Sequence, residues 1–324
     1  MGVLLEDVRD AGLLASGRRV LVLLSGGRDS TCLLDLAVRI AGTDAVAALH
    51  VNYGLRDEAD GDEAHCRALC EGLAVPLEVM TPRRPDTGNL QAWARDVRYG
   101  AAAQIVLRRG GDVAAGHTAT DQVETILYRL ASSPSRRALL GMRPREGSLV
   151  RPLLSFTREQ TAAYCRERGL GWREDASNDS PVFARGRVRT ALLPAFREIH
   201  PAAEDNVLAV AEILRDEAEV LDGLVNEALG GGWTISLARL RELPPALQRL
   251  VVQRLADRAA GRPAPGTARR ADEIVALSEH GVAMLDLPFG VRAVVERGVL
   301  RFEQTPSRRP AGAEPPASGA SHLN

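Results

Sequence analysis

Through the first 130 residues, short aliphatic runs alternate with longer stretches of helical spacing. Residues 20–24, Val-Leu-Val-Leu-Leu, are continuously apolar, which predicts a strand buried on both faces. The run breaks at Ser25-Gly26-Gly27 and resumes as Thr31-Cys32-Leu33-Leu34-Asp35-Leu36-Ala37, with apolar positions at helical spacing. Residues 45–51 predict a second buried strand, 76–80 a short third and 112–117 a fourth. Between them lie an acidic and then helix-periodic stretch at 57–72, a long helix at 89–109 with Asn89 placed to cap it, and a helix at 120–130. Strands alternating with helices predict an α/β fold with a doubly wound parallel sheet. Ligands of such sheets bind beyond the carboxyl ends of the strands. Ser25, His50 and His117 all fall at those ends.

Farther along, residues 132–144 form an arginine-bearing loop, and Arg151-Pro152-Leu153-Leu154 leads into a helix at 157–168. A polar stretch at 172–189 follows, where Arg185, Arg187 and Arg189 alternate in what reads as exposed chain. An acidic helix at 202–229 closes at three glycines. Pro194 and Pro201 place a domain boundary near residue 200. The expected organisation is therefore a larger domain over 1–200 and a smaller, mainly helical one over 201–303. In the latter, helices are expected at 245–260 and 268–278, and short strands at 283–287 and 291–302. Residues 304–324 are rich in Pro, Ala, Ser and Gly and predict a disordered tail.

Composition sharpens this picture in three places. All 41 basic residues are arginine, so a phosphate-binding, Schiff-base or adenylated lysine is excluded. The four cysteines contain no C-x-x-C, which argues against a disulfide framework or a zinc knuckle. With no secretory signal and no run near the ~20 apolar residues of a membrane span, a cytoplasmic protein that avoids membranes is expected. The net charge of −1 hides an asymmetry: residues 129–200 hold 14 arginines against 7 acids, and residues 201–230 hold 8 acids against 1 arginine. Such a distribution suits one surface that meets a polyanion.

The break after the first strand carries the chemistry. A strand that turns through glycines into a helix start presents backbone N–H groups and the positive dipole end to an anion. Gly26 and Gly27 let the backbone approach phosphate oxygens, and Ser25 and Ser30 add hydroxyls. Asp29 beside a phosphate calls for a cation between them, and Mg²⁺ fits that need. Ser25-Gly26-Gly27-Arg28-Asp29-Ser30 resembles the pyrophosphate-binding loop of the PP-loop ATPases, whose fold is adenine nucleotide alpha-hydrolase-like.

Five further segments narrow the resemblance. They are His50-Val51-Asn52-Tyr53-Gly54-Leu55-Arg56, Asn89-Leu90-Gln91-Ala92-Trp93-Ala94-Arg95-Asp96-Val97-Arg98-Tyr99, and Gly116-His117-Thr118-Ala119-Thr120-Asp121-Gln122-Val123-Glu124-Thr125. Arg151-Pro152-Leu153-Leu154 with Trp172-Arg173-Glu174-Asp175-Ala176-Ser177-Asn178-Asp179, then Arg185-Gly186-Arg187-Val188-Arg189, complete the set. In order and spacing, residues 20–200 resemble the bacterial tRNA(Ile)-lysidine synthetases. The chain departs from the family pattern at Arg28, at Asn52-Tyr53, at Thr118 where a second histidine is usual, and at Gly186.

The resemblance implies ATP-dependent adenylation of the wobble cytidine in tRNA(Ile) with a CAU anticodon, followed by attack of free L-lysine at C2. It implies ATP and Mg²⁺ as cofactors and a homodimer as the family's tendency. The expected catalytic residues are Asp29, Asp121, Arg95 and Glu124, with Asp29 as the metal ligand. Ser25, Gly26, Gly27, Arg28, Asp29, Ser30, His50 and His117 are expected to hold the nucleotide. Arg98, Arg185, Arg187 and Arg189 are expected to meet tRNA. Trp93 and Trp172 read as base-stacking or core residues. A PP-loop tRNA thiolase is the nearest alternative, but Cys66 and Cys70 lack a third cysteine partner. A glutamine-dependent ligase subunit lacks a glutaminase domain here, and a regulator without catalysis sits poorly with Asp29 and Asp121.

Overall fold

The computed structural model describes residues 2–55, 57–133, 136–174 and 184–305. Chain contacts divide it into two compact units, residues 1–214 and 215–324. The division falls downstream of the expected boundary near residue 200, because the acidic helix runs unbroken over Ala203–Leu229 and belongs to both units.

The first unit is built from α1 (Gly2–Asp10), β1 (Val20–Leu23), α2 (Arg28–Ala41), β2 (Val46–Val51), α3 (Ala59–Gly72), β3 (Leu77–Met80) and α4 (Leu90–Arg109). It continues through β4 (Asp112–Ala114), α5 (Ala119–Ser132), β5 (Arg145–Glu146), β6 (Leu149–Val150) and α6 (Arg158–Glu167). Then α7 (Ala184–Arg187) passes through a π turn, Val188–Leu192, into α8 (Leu193–Ile199), and α9 (Ala203–Leu229) follows. The sheet order is β3-β2-β1-β4-β6-β5, parallel except for the β5–β6 hairpin at one edge.

β1, β2 and β4 are buried at every position, as their unbroken apolar runs require. Alternation along β1 separates two cores. Val20 and Val22 pack with Leu33, Leu36, Cys66 and Tyr164 from α2, α3 and α6, whereas Leu21 and Leu23 pack with Ala101, Ala102 and Ile105 of α4. The sheet is thus doubly wound. The chain fills β1, β2 and β3 in one direction and then crosses to β4 on the other side of β1, so the crevice outside β1 and β4 is the switch point.

Helix ends follow the local chemistry. Asn89 caps α4, its side chain accepting from the N–H groups of Gln91 and Ala92. Thr118 and Asp121 form a capping box on α5, and Thr157 and Gln160 form one on α6. α2 and α6 are locked together by the buried Asp35, which accepts from the Tyr164 hydroxyl at 2.5 Å and the Arg168 guanidinium at 3.1 and 3.2 Å.

In the second unit, β7 (Ile235–Ser236), α10 (Leu237–Glu242), α11 (Pro245–Ala260) and α12 (Ala271–Val275) precede β8 (Val282–Leu287), β9 (Val291–Glu296) and β10 (Val299–Gln304). Helices pack on an antiparallel sheet of order β7-β10-β9-β8 around Leu237, Leu240, Val251, Ile274 and Leu300. The strand expected over 291–302 is in fact a hairpin, turned at Arg297 and Gly298, with φ of 51° and 74°. The helix expected at 268–278 is shorter, a 3₁₀ turn Thr267–Arg270 followed by α12. The tail from 306 and the segment Asp175 to Asp179 lie outside the described residues.

Candidate active site

The loop between β1 and α2 is shaped from within. Ser30 Oγ donates to the Gly27 carbonyl at 2.9 Å and accepts from the Ser25 N–H at 3.2 Å, with Ser25 Oγ 3.1 Å away. Gly26 has φ +81°, a left-handed backbone that favours glycine, and its carbonyl accepts from the Arg173 N–H at 2.9 Å. Gly27 is the N-cap of α2 and has no side-chain cap, unlike the starts of α4, α5 and α6. The first N–H groups of α2 are therefore left for an anion. Ser25 is exposed, whereas Ser30 is buried and serves the loop's shape.

Asp29 follows directly. Its Oδ1 accepts from Thr161 Oγ1 at 2.5 Å and from Arg28 Nε at 3.1 Å, and its Oδ2 faces Arg158 Nε at 3.9 Å. Arg158 then reaches α5, donating from Nη2 to Asp121 Oδ1 at 2.7 Å with Nη1 3.5 Å from Glu124 Oε1. Glu124 is buried at 2 % exposure and forks onto Arg189 at 2.7 and 2.8 Å, with Arg189 Nη2 3.8 Å from Asp121. Asp121 and Glu124 thus do share one face of α5, as their spacing of three requires. Burial pushes the Asp121 carboxyl up, but the Arg158 guanidinium, the Thr118 N–H and the neighbouring His117 outweigh it and hold it below the ordinary range.

The arginines expected to alternate at 185, 187 and 189 lie instead on a helix and its π turn. Arg185 and Arg187 are exposed, while Arg189 turns inward onto Glu124. Arg95 and Arg98 of α4 sit over the ring of Tyr99, at 5.0 and 5.3 Å from its centre. Arg98 Nε and the Tyr99 hydroxyl are buried without a hydrogen-bond partner among the described residues. Trp93 meets Tyr53 edge to face at 5.7 Å, and Trp172 packs against the main core.

His50 is 4 % exposed, and its Nδ1–H donates to the Leu24 carbonyl at 2.9 Å, so it braces the end of β1 from behind. Its Nε2 is buried without a partner among the described residues. Burial pulls His117 down to about 4; Asp121 opposes this, and Arg151, Arg98 and Arg95 add to it. The unfolded ring takes up its proton near 6.5 and the folded ring near 4, so this contribution is complete above about 6.5 and is lost as pH falls through that window. Between pH 7 and pH 5 the wild type should lose roughly 2 kcal/mol that His117→Gln does not lose. Urea unfolding of both proteins at the two pH values checks this, and parallel losses would contradict a neutral, half-buried ring.

Gly116 shows how closely β4 approaches the loop. A Cβ there would stand 3.0 Å from the carbonyl carbon and oxygen of Asp29 and 3.1 Å from the Ser30 nitrogen, all backbone atoms. Gly116→Ala is expected to displace the start of α2 and weaken ATP binding about tenfold, from roughly 1–3 kcal/mol of overpacking. Titration with a non-hydrolysable ATP analogue reads this out, and unchanged affinity would show that the backbone yields.

Three residues with contacts here had no role assigned from sequence. Arg158 and Thr161 belong to α6, and Arg173 ties the loop to α3 through Asp62 at 3.1 Å. Local patterning reads Arg158 and Thr161 only as ordinary helix-start residues. Gln122 is also structural: it exchanges two hydrogen bonds with the Met142 backbone, at 2.6 and 2.8 Å, and anchors the 138–142 loop.

Residues 4–196 match the sequence profile of the PP-loop domain. The tRNA(Ile)-lysidine synthase of Symbiobacterium thermophilum is 35% identical over 345 residues, covering 96% of this chain and 71% of that one. This chain belongs to the tRNA(Ile)-lysidine synthase family. The Pseudomonas putida member is 37% identical over 72% of the chain, which spans 58% of that relative's length. Among solved structures, the U34-tRNA thiolase NcsA of Methanococcus maripaludis shares the fold, with a TM-score of 0.55 at 15% identity over 65% of this chain and 78% of that one.

Within the lysidine synthase family pattern, the departure at Thr118 has a local reason, since threonine is a preferred N-cap and here closes the box with Asp121. Asn52 donates to Asp60 and Glu63, each at 3.1 Å, and so ties the end of β2 to α3. No three cysteines come together as a cluster site among the described residues. All four are buried, and burial pushes the Cys66 thiol up to about 12 and the Cys70 thiol up to about 11. No helix among the described residues is long and apolar enough to cross a membrane.

Proposed function

We propose that this chain joins free L-lysine to C2 of the wobble cytidine in tRNA(Ile) with a CAU anticodon, converting an AUG-reading tRNA to one that reads AUA. The observation that carries the reading is the convergence of an uncapped, phosphate-ready helix start with the Asp121–Glu124 pair of α5.

The chemistry needs two steps. A carbonyl oxygen is a poor leaving group, so ATP first esterifies O2 of the cytidine with AMP and releases pyrophosphate. The amine of lysine then forms the C–N bond at C2 as the C–O bond breaks and AMP departs. The loop N–H groups and the Ser25 hydroxyl bind the phosphates. One Asp29 oxygen accepts from Thr161 and Arg28 while Oδ2 accepts no hydrogen bond among the described residues, and an oxygen donor of this kind would suit Mg²⁺, which binds through one or two carboxylates together with substrate phosphates. No group of three or more His, Cys, Asp or Glu side chains among the described residues forms a metal cage, and this mode of binding needs none. When bound, the ion neutralises the charge that develops on pyrophosphate.

Asp121 and Glu124 receive the lysine ammonium. A carboxyl held below its ordinary range is a weak base, so Asp121 orients the amine rather than acting as a strong proton acceptor. The bound ammonium first gives one proton to water, which frees the lone pair that attacks C2, and the nitrogen of the new C–N bond, made acidic by its positive charge, then gives its second proton to water. Arg95 and Arg98 around Tyr99, with Arg185 and Arg187, offer charge to the tRNA backbone. The unit from 215 onward supplies a second tRNA surface, and the reaction takes place in the cytoplasm.

The test is incorporation of labelled lysine into tRNA(Ile) with a CAU anticodon, in ATP and Mg²⁺, with a methionine tRNA of the same anticodon as control. Stable label on the isoleucine tRNA alone is expected. Pyrophosphate release without label would keep adenylation and require another nucleophile.

A further inference from the structure

Arg158 stands where the reaction needs room. Its guanidinium spans the three carboxylates assigned to the two steps, at 2.7 Å from Asp121, 3.5 Å from Glu124 and 3.9 Å from Asp29. Together with Arg189 it already balances the two negative charges of Asp121 and Glu124. A lysine ammonium added to that pair would be an uncompensated third cation in a half-buried site, at a cost in electrostatic energy.

The same side chain is only partly satisfied. Its Nε is buried, donates to no hydrogen-bond acceptor among the described residues, and points toward Asp29, one residue into the helix whose start has no side-chain cap. Arg158 is the first residue of α6, fixed by the Thr157–Gln160 box, so a swing of its side chain leaves the backbone in place. A planar, multiply donating guanidinium suits a phosphate as well as it suits a carboxylate.

We propose that Arg158 is a place-holding cation: in the free protein it fills the ammonium position between Asp121 and Glu124, and nucleotide phosphates at the start of α2 draw it onto their own oxygens and open that position for lysine. The inference rests on the lysine-transfer reading above. Its consequence is ordered binding, with ATP admitting lysine. Arg158 acts through the carboxylates it covers, so it is a positioning residue. By linkage, lysine must tighten nucleotide binding by the same factor that nucleotide tightens lysine binding.

Equilibrium dialysis of labelled L-lysine against the full chain, with and without Mg²⁺ and α,β-methylene ATP, tests this. Wild type should bind lysine roughly 5–150-fold more tightly with the analogue. Arg158→Gln should bind lysine without the analogue about as tightly as wild type does with it. Arg158→Lys, which keeps the charge but not the fork, should restore the dependence on nucleotide. Equal lysine affinity in wild type with and without the analogue overturns the proposal, and this arm needs no variant to fold. A folded Arg158→Gln protein whose nucleotide-free affinity is unchanged overturns it too. Labelled-lysine transfer to tRNA(Ile) is run on the same wild-type preparation. Transfer with nucleotide-independent lysine binding removes the place-holder and leaves the activity, whereas no transfer and no lysine binding in any arm removes both.

Discussion

Asp29→Asn is expected to cut tRNA-dependent pyrophosphate release by at least about 100-fold, while tRNA binding stays within a factor of two or so. Asparagine has nearly the same shape, and its Oδ1 can still accept from Thr161 Oγ1, which now donates to Asp29 at 2.5 Å. What it loses is the second anionic oxygen, the atom that faces Arg158 Nε at 3.9 Å and accepts no hydrogen bond among the described residues. That oxygen is the one that would hold the proposed Mg²⁺, and a lost charge interaction of about 3 kcal/mol corresponds to about 100-fold. The Arg28–Asp29 pair is partly exposed, with side chains at 25% and 19%, so breaking it should move stability little. Pyrophosphate release and filter-bound tRNA are measured on the same preparations. Wild-type release by the variant would remove Asp29 from the adenylation step.

Asp121→Asn should separate the two half-reactions. Pyrophosphate release in a first turnover is expected to persist, and transfer of labelled lysine to fall by at least about 100-fold. The Thr118 N–H and hydroxyl, both 2.9 Å from Oδ2, would hold the asparagine oxygen and turn its NH₂ toward Arg158, whose Nη2 now donates to Oδ1 at 2.7 Å. Two donors then face each other, and neither orients an ammonium. Because Arg158 and the Thr118 N–H hold the Asp121 carboxyl below its ordinary range despite burial, it stays ionised at neutral pH, and lysine transfer should show no titration of this group there. Rapid-quench measurement of both products distinguishes the outcomes. An equal fall in both steps would move Asp121 from lysine transfer into adenylation.

Much of this site was legible along the chain because its information is local. A strand that breaks at Ser25-Gly26-Gly27 into a helix carries its own geometry, and the structure places β1 and α2 around that break. Asn89 announces a cap through its side-chain chemistry, and α11 runs Pro245–Ala260 between the bounds that its periodicity sets. Asp121 and Glu124 share a face because helical spacing dictates it. The β9–β10 hairpin escaped for the opposite reason: its turn uses Arg297 at positive φ, where Asn or Asp before Gly is the usual signal.

The sequence by itself determined the doubly wound order of elements, the phosphate-ready loop and the chemical types gathered at the strand ends. Only the tertiary structure decided which charges face which. Thr161 meets Asp29 across 132 positions of chain, Arg189 meets Glu124 across 65 and Arg158 meets Asp121 across 37. It turned His50 into a brace beneath Leu24, committed Glu124 to an arginine fork and put Arg158 at the centre of the carboxylates. Periodicity records which face a residue occupies, but not which distant helix start is folded against it. That pairing is fixed by how α2, α5 and α6 pack around one sheet.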